Sequence, residues 1–379
     1  MSATKTVQQR YQSDETSQAL LEQFRLMVND CIRIGLSEDV SSLKALSLRC
    51  YKQLSRYDAL SYYKLCAISR ASGILKNYKK AKRRIKRARV PYVWKPQLTT
   101  CYGFKIKDGC LLLPSKFHER IRIPMNRHTL EVLSDPSLTV RSVTLTANTL
   151  GLTISRDPIM MRPIGLVGLD SNLSNITLAD SKGSIEKHDL ERATVLKSRY
   201  RKVKSRFKRN DVRVRKRIYR KYGQKQRLKI QHLLHNISKH VVEDAKAKQY
   251  GIVMEDLTHI RKLYRKGNWQ AREYRARMNG WSFRELQRQI EYKALWEGIP
   301  VYHVNARGTS STCATCGCSS RPNAQRTLQC PNGHVSDRDV NAAKNILKRG
   351  MRFVPFAHPV EAMVQERNNA VPTLDSRWM

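Results

Sequence analysis

The sequence predicts a multidomain chain of mixed class, α/β together with α+β, and three observations carry that reading. Apolar residues recur at helical spacing from about residue 14 to residue 89. Strict alternation with turn pairs then takes over from Thr99 to Ser155, and from Ile164 onward buried-strand runs alternate with helical stretches. At 379 residues, 40% of them hydrophobic, the chain is long enough for two or three domains with cores of their own.

The elements follow in order. Thr6-Val-Gln-Gln has the pattern of a short strand. Asp14 or Ser13 caps a first helix whose Leu20, Leu21, Phe24, Leu26, Met27 and Cys31 make one broad stripe. Further helices are expected at 40–54 and 59–74, the last running into the basic stretch 76–89, and Pro91 and Pro96 close this part. Residues 102–113 read as two strands about an Asp108-Gly109 turn, and 121–124, 142–146 and 150–155 complete a small antiparallel β module. Residues 164–170 are a buried strand, with hairpin partners at 175–180 and 183–186. One long helix is expected over 197–229, with 17 Lys/Arg, a single acid (Asp211) and interleaved Tyr200, Phe207, Tyr219 and Tyr222. An amphipathic helix bearing Leu233, Leu234, Ile237, Val241 and Val242 leads to a strand at 251–257. Then come a helix marked by Trp281, Phe283, Leu286 and Ile290, a strand at 299–304 and a helix at 340–347. Residues after Met351 read as loosely structured, and no internal repeat is evident.

Charge narrows the function. Lys and Arg number 72 against 31 Asp and Glu, a formal net charge of +41 and a pI of about 10.3. A globular chain so unbalanced repels itself unless a polyanion neutralises it, which selects nucleic acid as partner. A membrane is the competing reading; against it, no apolar run is long enough to span and no signal-peptide stretch opens the chain, so a cytoplasmic, nucleoid-associated protein is expected. Basic runs are usually solvated helix faces. In this chain Lys79, Lys80, Lys82, Arg83 and Arg84, with Lys202, Lys204, Arg206, Lys208, Arg209, Arg213, Arg215, Lys216 and Arg217, are read as phosphate-tracking.

Of nine cysteines, Cys31, Cys50, Cys66, Cys101 and Cys110 are scattered through apolar stretches and read as buried thiols. Cys313-x2-Cys316 and Cys330-x3-His334, thirteen residues apart, have the spacing of a closed tetrahedral structural Zn²⁺ site, with Cys318 as an alternative ligand. Four protein ligands leave no open position, so this metal is expected to fold short loops rather than to catalyse.

Three acids occupy comparable places in the pattern: Asp170 in the first strand of the later half, Glu255 at the end of a later strand, Asp339 at the start of a helix. Singly each has an ordinary reading as turn former or helix cap, and Asp337 fits the cap. Together, on a hairpin sheet followed by strand–helix alternation, they are what an RNase H-like nuclease core needs. Two Mg²⁺ ions roughly 3.5–4 Å apart, held by hard oxygens, activate water and stabilise the leaving 3′-oxygen.

These motifs resemble the TnpB family, transposon-encoded RNA-guided DNA nucleases related to type V CRISPR effectors. The residues that carry the resemblance are Gly168-Leu-Asp170, Ile252-Val-Met-Glu255-Asp-Leu and Asp337-Arg-Asp339-Val-Asn341-Ala-Ala-Lys-Asn-Ile, with Thr309-Ser-Ser-Thr-Cys313-Ala-Thr-Cys316-Gly before the last; the Phe104–Gly109 segment and Leu113-Pro are similar more loosely. The resemblance implies catalytic Asp170, Glu255 and Asp339 at one RuvC-like site. It further implies a helical recognition lobe (15–90), a β-barrel wedge module (1–14 and 91–160), and a RuvC-like core (161–305 and 336–352). The zinc ribbon-like insertion (306–335) and a C-terminal tail (353–379) complete the expected division. The partners it implies are a guide RNA from the transposon end and target double-stranded DNA, bound next to a short target-adjacent motif. Two departures stand out: Gly333 replaces the usual last cysteine, which leaves His334 as the fourth ligand, and Asn172 stands where a glycine is usual. An RNA-guided repressor that does not cut, and an accessory RNA-binding protein of transposition, are the alternatives. Retention of all three acids favours the nuclease.

Overall fold

A short polar residue before each apolar run sets the first helices. Asp14 accepts from Ser17 N at 2.8 Å and opens α1 (Glu15–Ser37), while Ser42 accepts from Ala45 N at 3.3 Å and opens α2 (Leu43–Cys50). The computed structural model describes residues 2–85, 88–116, 119–207, 211–258, 260–264, 271–323 and 326–352, and the chain divides into two units, Met1–Asp157 and Pro158–Met379. The expected 353–379 tail and Lys208 and Arg209 lie outside the described residues.

In the first unit the expected helix at 40–54 is shorter, because Ser42 starts it and a 3₁₀ turn at Gln53–Arg56 follows. Its neighbour α3 (Ser61–Arg84) runs ten residues beyond the expected end at 74, since the lysines and arginines there favour helix. Leu26, assigned to the apolar stripe, turns outward at 40% exposure; Phe24, Met27, Val28, Cys31, Ile68, Ala71 and Leu75 carry the core instead. The β module is two sheets rather than one. The first has the order β1-β7-β6-β2, from β1 (Ala3–Arg10), β2 (Gln97–Thr100), β6 (Thr139–Thr146) and β7 (Thr149–Arg156). The strand β1 pairs antiparallel along all of β7, from Ala3↔Arg156 to Arg10↔Thr149, which ties the first residues to the end of the unit. The second sheet is β3 (Lys105–Lys107), β4 (Cys110–Pro114) and β5 (Arg120–Pro124), and Asp108 and Gly109 both take positive φ in its first turn, as a two-residue hairpin requires. An unforeseen short helix, α4 (Arg127–Leu133), follows an Asn126 cap. Of the five scattered thiols, Cys31, Cys50 and Cys110 are buried, but Cys66 is only half-buried and Cys101 is exposed in the loop after β2.

The second unit is built on a five-stranded sheet of order β10-β9-β8-β11-β12. Its β8 (Gly165–Ser171), β9 (Asn175–Asp180) and β10 (Ile185–Asp189) form an antiparallel meander. Then α5 (Glu191–Ser205) and α6 (Val212–Lys248) lead to β11 (Tyr250–Asp256), parallel to β8. The single basic helix expected over 197–229 is two helices, because Asp211 accepts from Val214 N at 2.9 Å and caps a new start. After the unforeseen α7 (Arg272–Asn279) come α8 (Phe283–Trp296) and β12 (Val301–Asn305), parallel to β11. Three short strands, β13 (Arg321–Pro322), β14 (Thr327–Gln329) and β15 (Val335–Asp337), make a small sheet that runs directly into α9 (Arg338–Met351).

The sheet is covered on both faces. Val167, Leu169, Ile176, Leu178, Ile252 and Met254 pack against Leu234, Ile237 and Val241 of α6 and Leu286 and Ile290 of α8. Leu166, Val253 and Val304 pack against Ile346 and Leu347 of α9. That helix lies very close: a Cβ on Gly168 would come within 2.5 Å of Ala343 O and 2.6 Å of Leu347 N. Only glycine admits this approach, and it sets the height of α9 over β8. Among the described residues no helix is long and apolar enough to cross a membrane.

Candidate carboxylate and metal centres

Parallel pairing of β8 and β11 in the register Leu169↔Met254 brings Asp170 and Glu255, the next residues of each strand, to the same end of neighbouring strands. Asp339 enters from the first turn of α9. There Asp337 is the cap, accepting from Asp339 N at 2.9 Å and Val340 N at 3.0 Å, so Asp339 is free to point inward. All three acids are buried, at 7%, 8% and 3% exposure respectively, in a chain whose other carboxylates are mostly solvated.

Each has its own polar partner. Asn172 Nδ2 donates to Asp170 Oδ2 at 2.6 Å, and Thr309 Oγ1 donates to Glu255 Oε1 at 2.6 Å. Asp339 is held at both oxygens, by Asn175 Nδ2 at 3.1 Å and by the Arg326 guanidinium at 2.6 Å. Burial pushes the Asp170 carboxyl up to about 7, and the charges of Glu255 and Asp339 push the same way. Burial also raises Glu255, against the opposing Thr309 hydrogen bond and the Arg349 charge. The three acids therefore feel one another across a water-poor site, where ionised carboxylates repel unless a cation joins them. Their oxygens are not drawn into one tight ligand group. Among the described residues the sets of three or more side chains with ligand atoms all within 4.8 Å are Cys313/Cys316/Cys330/His334 and Glu186/His188/His240. The Arg326 guanidinium already balances Asp339.

The first of those sets is the expected zinc donor set, with Cys330 Sγ 3.6 Å from Cys316 Sγ and 3.2 Å from His334 Nδ1. Two tight turns shape it. Gly317 (φ 79°) donates to Cys313 O and Gly333 (φ 80°) to Cys330 O, so the glycine that displaces the usual last cysteine serves the turn that presents His334. Backbone donation from Cys318 pulls the Cys316 thiol down to about 6, toward the thiolate a metal needs. Cys318 itself, the alternative ligand, takes no place in the group and accepts from Asn332 Nδ2 at 3.4 Å. Soft sulfur with one imidazole in a closed foursome fits zinc.

Of the basic candidates, Lys80, Lys82, Arg83 and Arg84 are exposed along the end of α3, whereas Lys79 is held by Asp39 O at 2.6 Å. Lys202 and Arg206 are exposed in and just after α5, and Arg213, Arg215, Lys216 and Arg217 in the first turns of α6. Lys204 is half-buried, hydrogen-bonded to Gln226 at 3.2 Å and lying 5.9 Å over the Tyr219 ring. The residues that the sequence did not single out are the partners of the acids. Asn172 and Asn175 are visible there only as a turn and Thr309 only as part of a motif. Arg326 stands out only as a basic edge, because its reach to Asp339 depends on how β14 and β15 fold back.

Residues 283–346 match the family model "Cas12f1-like, TNB domain", a span that holds α8, β12, the cysteine–histidine group and Asp339. The chain is similar to TnpB-like and Cas12f proteins. It is 39% identical over 151 residues to TnpB-like protein MJ0751 of Methanocaldococcus jannaschii (40% of this chain, 53% of that one). It is 32% identical over 208 residues to the CRISPR-associated endodeoxyribonuclease Cas12f2 of a Micrarchaeota archaeon (49% and 37%). The matches thus span about half the length of these TnpB/Cas12f-like relatives or less. The fold resembles that in a Cas12f1–sgRNA–target DNA complex, with TM-score 0.59 at 14% identity over 87% of this chain and 81% of that one. At that identity the likeness concerns the mixed α/β fold alone.

Proposed function

We propose that this TnpB/Cas12f-like chain is an RNA-guided DNA endonuclease whose catalytic residues are Asp170, Glu255 and Asp339. The observation that carries the reading is the burial of these three acids on β8, β11 and α9, close enough to raise the proton affinity of Asp170. Water-poor carboxylates facing one another are the donor chemistry for divalent cations with hard-ligand preference. Two Mg²⁺ bound there would supply an activated water and charge stabilisation at the leaving 3′-oxygen. Asp170 and Glu255 fix the ligand oxygens from a rigid sheet; Asn172 and Thr309 orient them; Asn175 keeps one Asp339 oxygen aimed at the site. Arg326, paired with Asp339 at 2.6 Å, would be free to meet a phosphate oxygen were that carboxylate to hold a cation instead.

The wider reading completes this. Base pairing of a guide derived from the transposon end selects the target beside a short motif, and one RuvC-like site cuts both strands. Protein contacts meanwhile grip backbone and shape. What supports it is the +41 charge, the exposed basic turns of α3 and α6, and relatives named as an endodeoxyribonuclease and a TnpB-like protein. The seven segments expected from the sequence serve as its domains: 1–14 and 91–160 the wedge, 15–90 the recognition lobe, 161–305 and 336–352 the nuclease core, 306–335 a zinc-folded element, and 353–379 a tail. The test is cleavage of matched duplex DNA by protein, its co-purified RNA and Mg²⁺. Loss of cutting in Asp170→Ala with RNA binding retained is expected; cutting that persists in that variant overturns the assignment.

A further inference from the structure

The second ligand group lies away from the acids, on the edge strand. In β10 a two-residue step puts Glu186 and His188 on one face of the strand, opposite Leu178 and Ile176 of β9, which pack toward α6. His240 projects from α6 onto the same spot. His188 Nε2 lies 3.3 Å and His240 Nε2 3.2 Å from the same oxygen, Glu186 Oε1, and the two imidazoles stand edge to face with centroids 5.2 Å apart. His188 Nε2 is closed off from solvent and has no hydrogen-bond partner, so its proximity to Glu186 lacks hydrogen-bond alignment.

We propose that Glu186, His188 and His240 bind a late first-row divalent cation of the zinc class, as a staple between the edge strand and α6. The spacing supports it: a tetrahedral ion with bonds of about 2.0–2.1 Å to nitrogen and oxygen separates its ligands by about 3.3–3.4 Å, close to the two edges of 3.3 and 3.2 Å. Two imidazoles and one carboxylate select zinc, nickel or cobalt over magnesium. Asp244, one turn beyond His240, is engaged by Lys248 at 2.8 Å, so three protein ligands and a water complete the sphere. The orphaned His188 nitrogen gains the partner that burial otherwise denies it. By holding β10 to α6, the ion fixes the helix whose first turns carry the exposed arginines.

The test uses the full chain and does not depend on cleavage, so its outcome is separate from that of the nuclease reading. Protein freed of transition metals, held in excess Mg²⁺ so that the carboxylate centre does not enter the count, is titrated with Zn²⁺ and, in parallel, Co²⁺, whose thiolate charge-transfer band reports the cysteine group alone. About two ions per chain are expected for the native sequence and about one for His240→Ala, with the thiolate band unchanged. His240 is 60% exposed, so that variant keeps the fold, verified by circular dichroism. Amide exchange along β10 is expected to slow on adding Zn²⁺ to the native protein and not to the variant. One ion in the native protein, or a second ion that survives both His240→Ala and Glu186→Gln, overturns the proposal.

Discussion

Replacing Asp170 by Asn separates the cost of the site from its use. The carboxyl is 7% exposed and titrates at about 7 against an ordinary 3.8, through burial first and then Glu255 and Asp339. Because the folded value lies above the unfolded one, the stability that goes with a protonated Asp170 is complete below pH 3.8 and is lost as pH rises through about 7. Three units at 1.36 kcal/mol each put the cost at about 4 kcal/mol at pH 8, falling to about a third of that at pH 5. Asparagine is uncharged yet keeps an acceptor for Asn172 Nδ2, so it removes the cost without opening a cavity. In Mg²⁺-free buffer without chelator, which leaves any thiolate-held metal in place, Asp170→Asn is expected to raise the unfolding temperature of the second unit. At about 2–4 °C per kcal/mol the rise is on the order of 10 °C at pH 8 and a few degrees at pH 5. Thermal unfolding followed by tryptophan fluorescence reads this, and the same protein should fail to cut. Adding Mg²⁺ should lift the native protein and leave the variant unmoved. A variant less stable than the parent at pH 8, or a difference that ignores pH, refutes the account of a strained carboxylate cluster.

Gly168→Ala should destabilise the second unit by about 1–3 kcal/mol and abolish cutting, because the new methyl meets the backbone of α9 and lifts Asp339; chemical denaturation measures the first and a nicking assay the second. Arg326→Ala should tighten Mg²⁺ binding, read by titration calorimetry, since the guanidinium no longer competes for Asp339; weaker Mg²⁺ binding would instead make Arg326 a support of the site. Asn345→Ala should cost about 1–3 kcal/mol by leaving Thr309 O unsatisfied and Thr312 O with Asn341 Nδ2 alone, with a fall in cleavage greater than in RNA affinity. Affinity for non-cognate duplex should drop steeply between about 50 and 200 mM salt, and a flat response would remove the basic helices as contact surface.

How much of this was legible in the sequence follows from how local each feature is. The strands at 164–170 and 175–180, the Asp337 cap and the cysteine–histidine spacing depend on neighbours a few residues away, and each reads correctly. The helix expected over 197–229 failed for a local reason too, since Asp211 was counted as one acid among many bases although an Asp before a helical run is a start signal. Leu26 and Cys101 failed because apolar character does not say which side of an element meets a core. The partners of the acids were out of reach for a different reason. Thr309 meets Glu255 across 54 positions and Asn175 meets Asp339 across 164, and no periodicity encodes such pairings.

Those long-range partners explain why the cysteine–histidine element and the acids belong to one apparatus although their chemistry differs. Asn341 Oδ1 accepts from Ala314 N at 2.7 Å and Asn341 Nδ2 donates to Thr312 O at 2.8 Å, while Asn345 reaches Thr309 O and Thr312 O. The loop leading into Cys313 is thus laced along α9, and the same loop supplies the hydroxyl on Glu255. On the far side of the element, β14 and β15 deliver Arg326 to Asp339 before the chain enters α9. A metal held by the cysteine–histidine group would help fix, through backbone carbonyls and two asparagines, the orientation of two acids that it would not touch. Among the described residues these short loops bury a small cluster of their own, Cys313, Leu328 and Cys330, with Ala314 beside it. With so little apolar burial of their own, the loops that hold the Thr309 hydroxyl at 2.6 Å from Glu255 would gain order from a metal at the thiolate group. Removing that metal is therefore expected to loosen the acids as well, read as slower cleavage after zinc chelation.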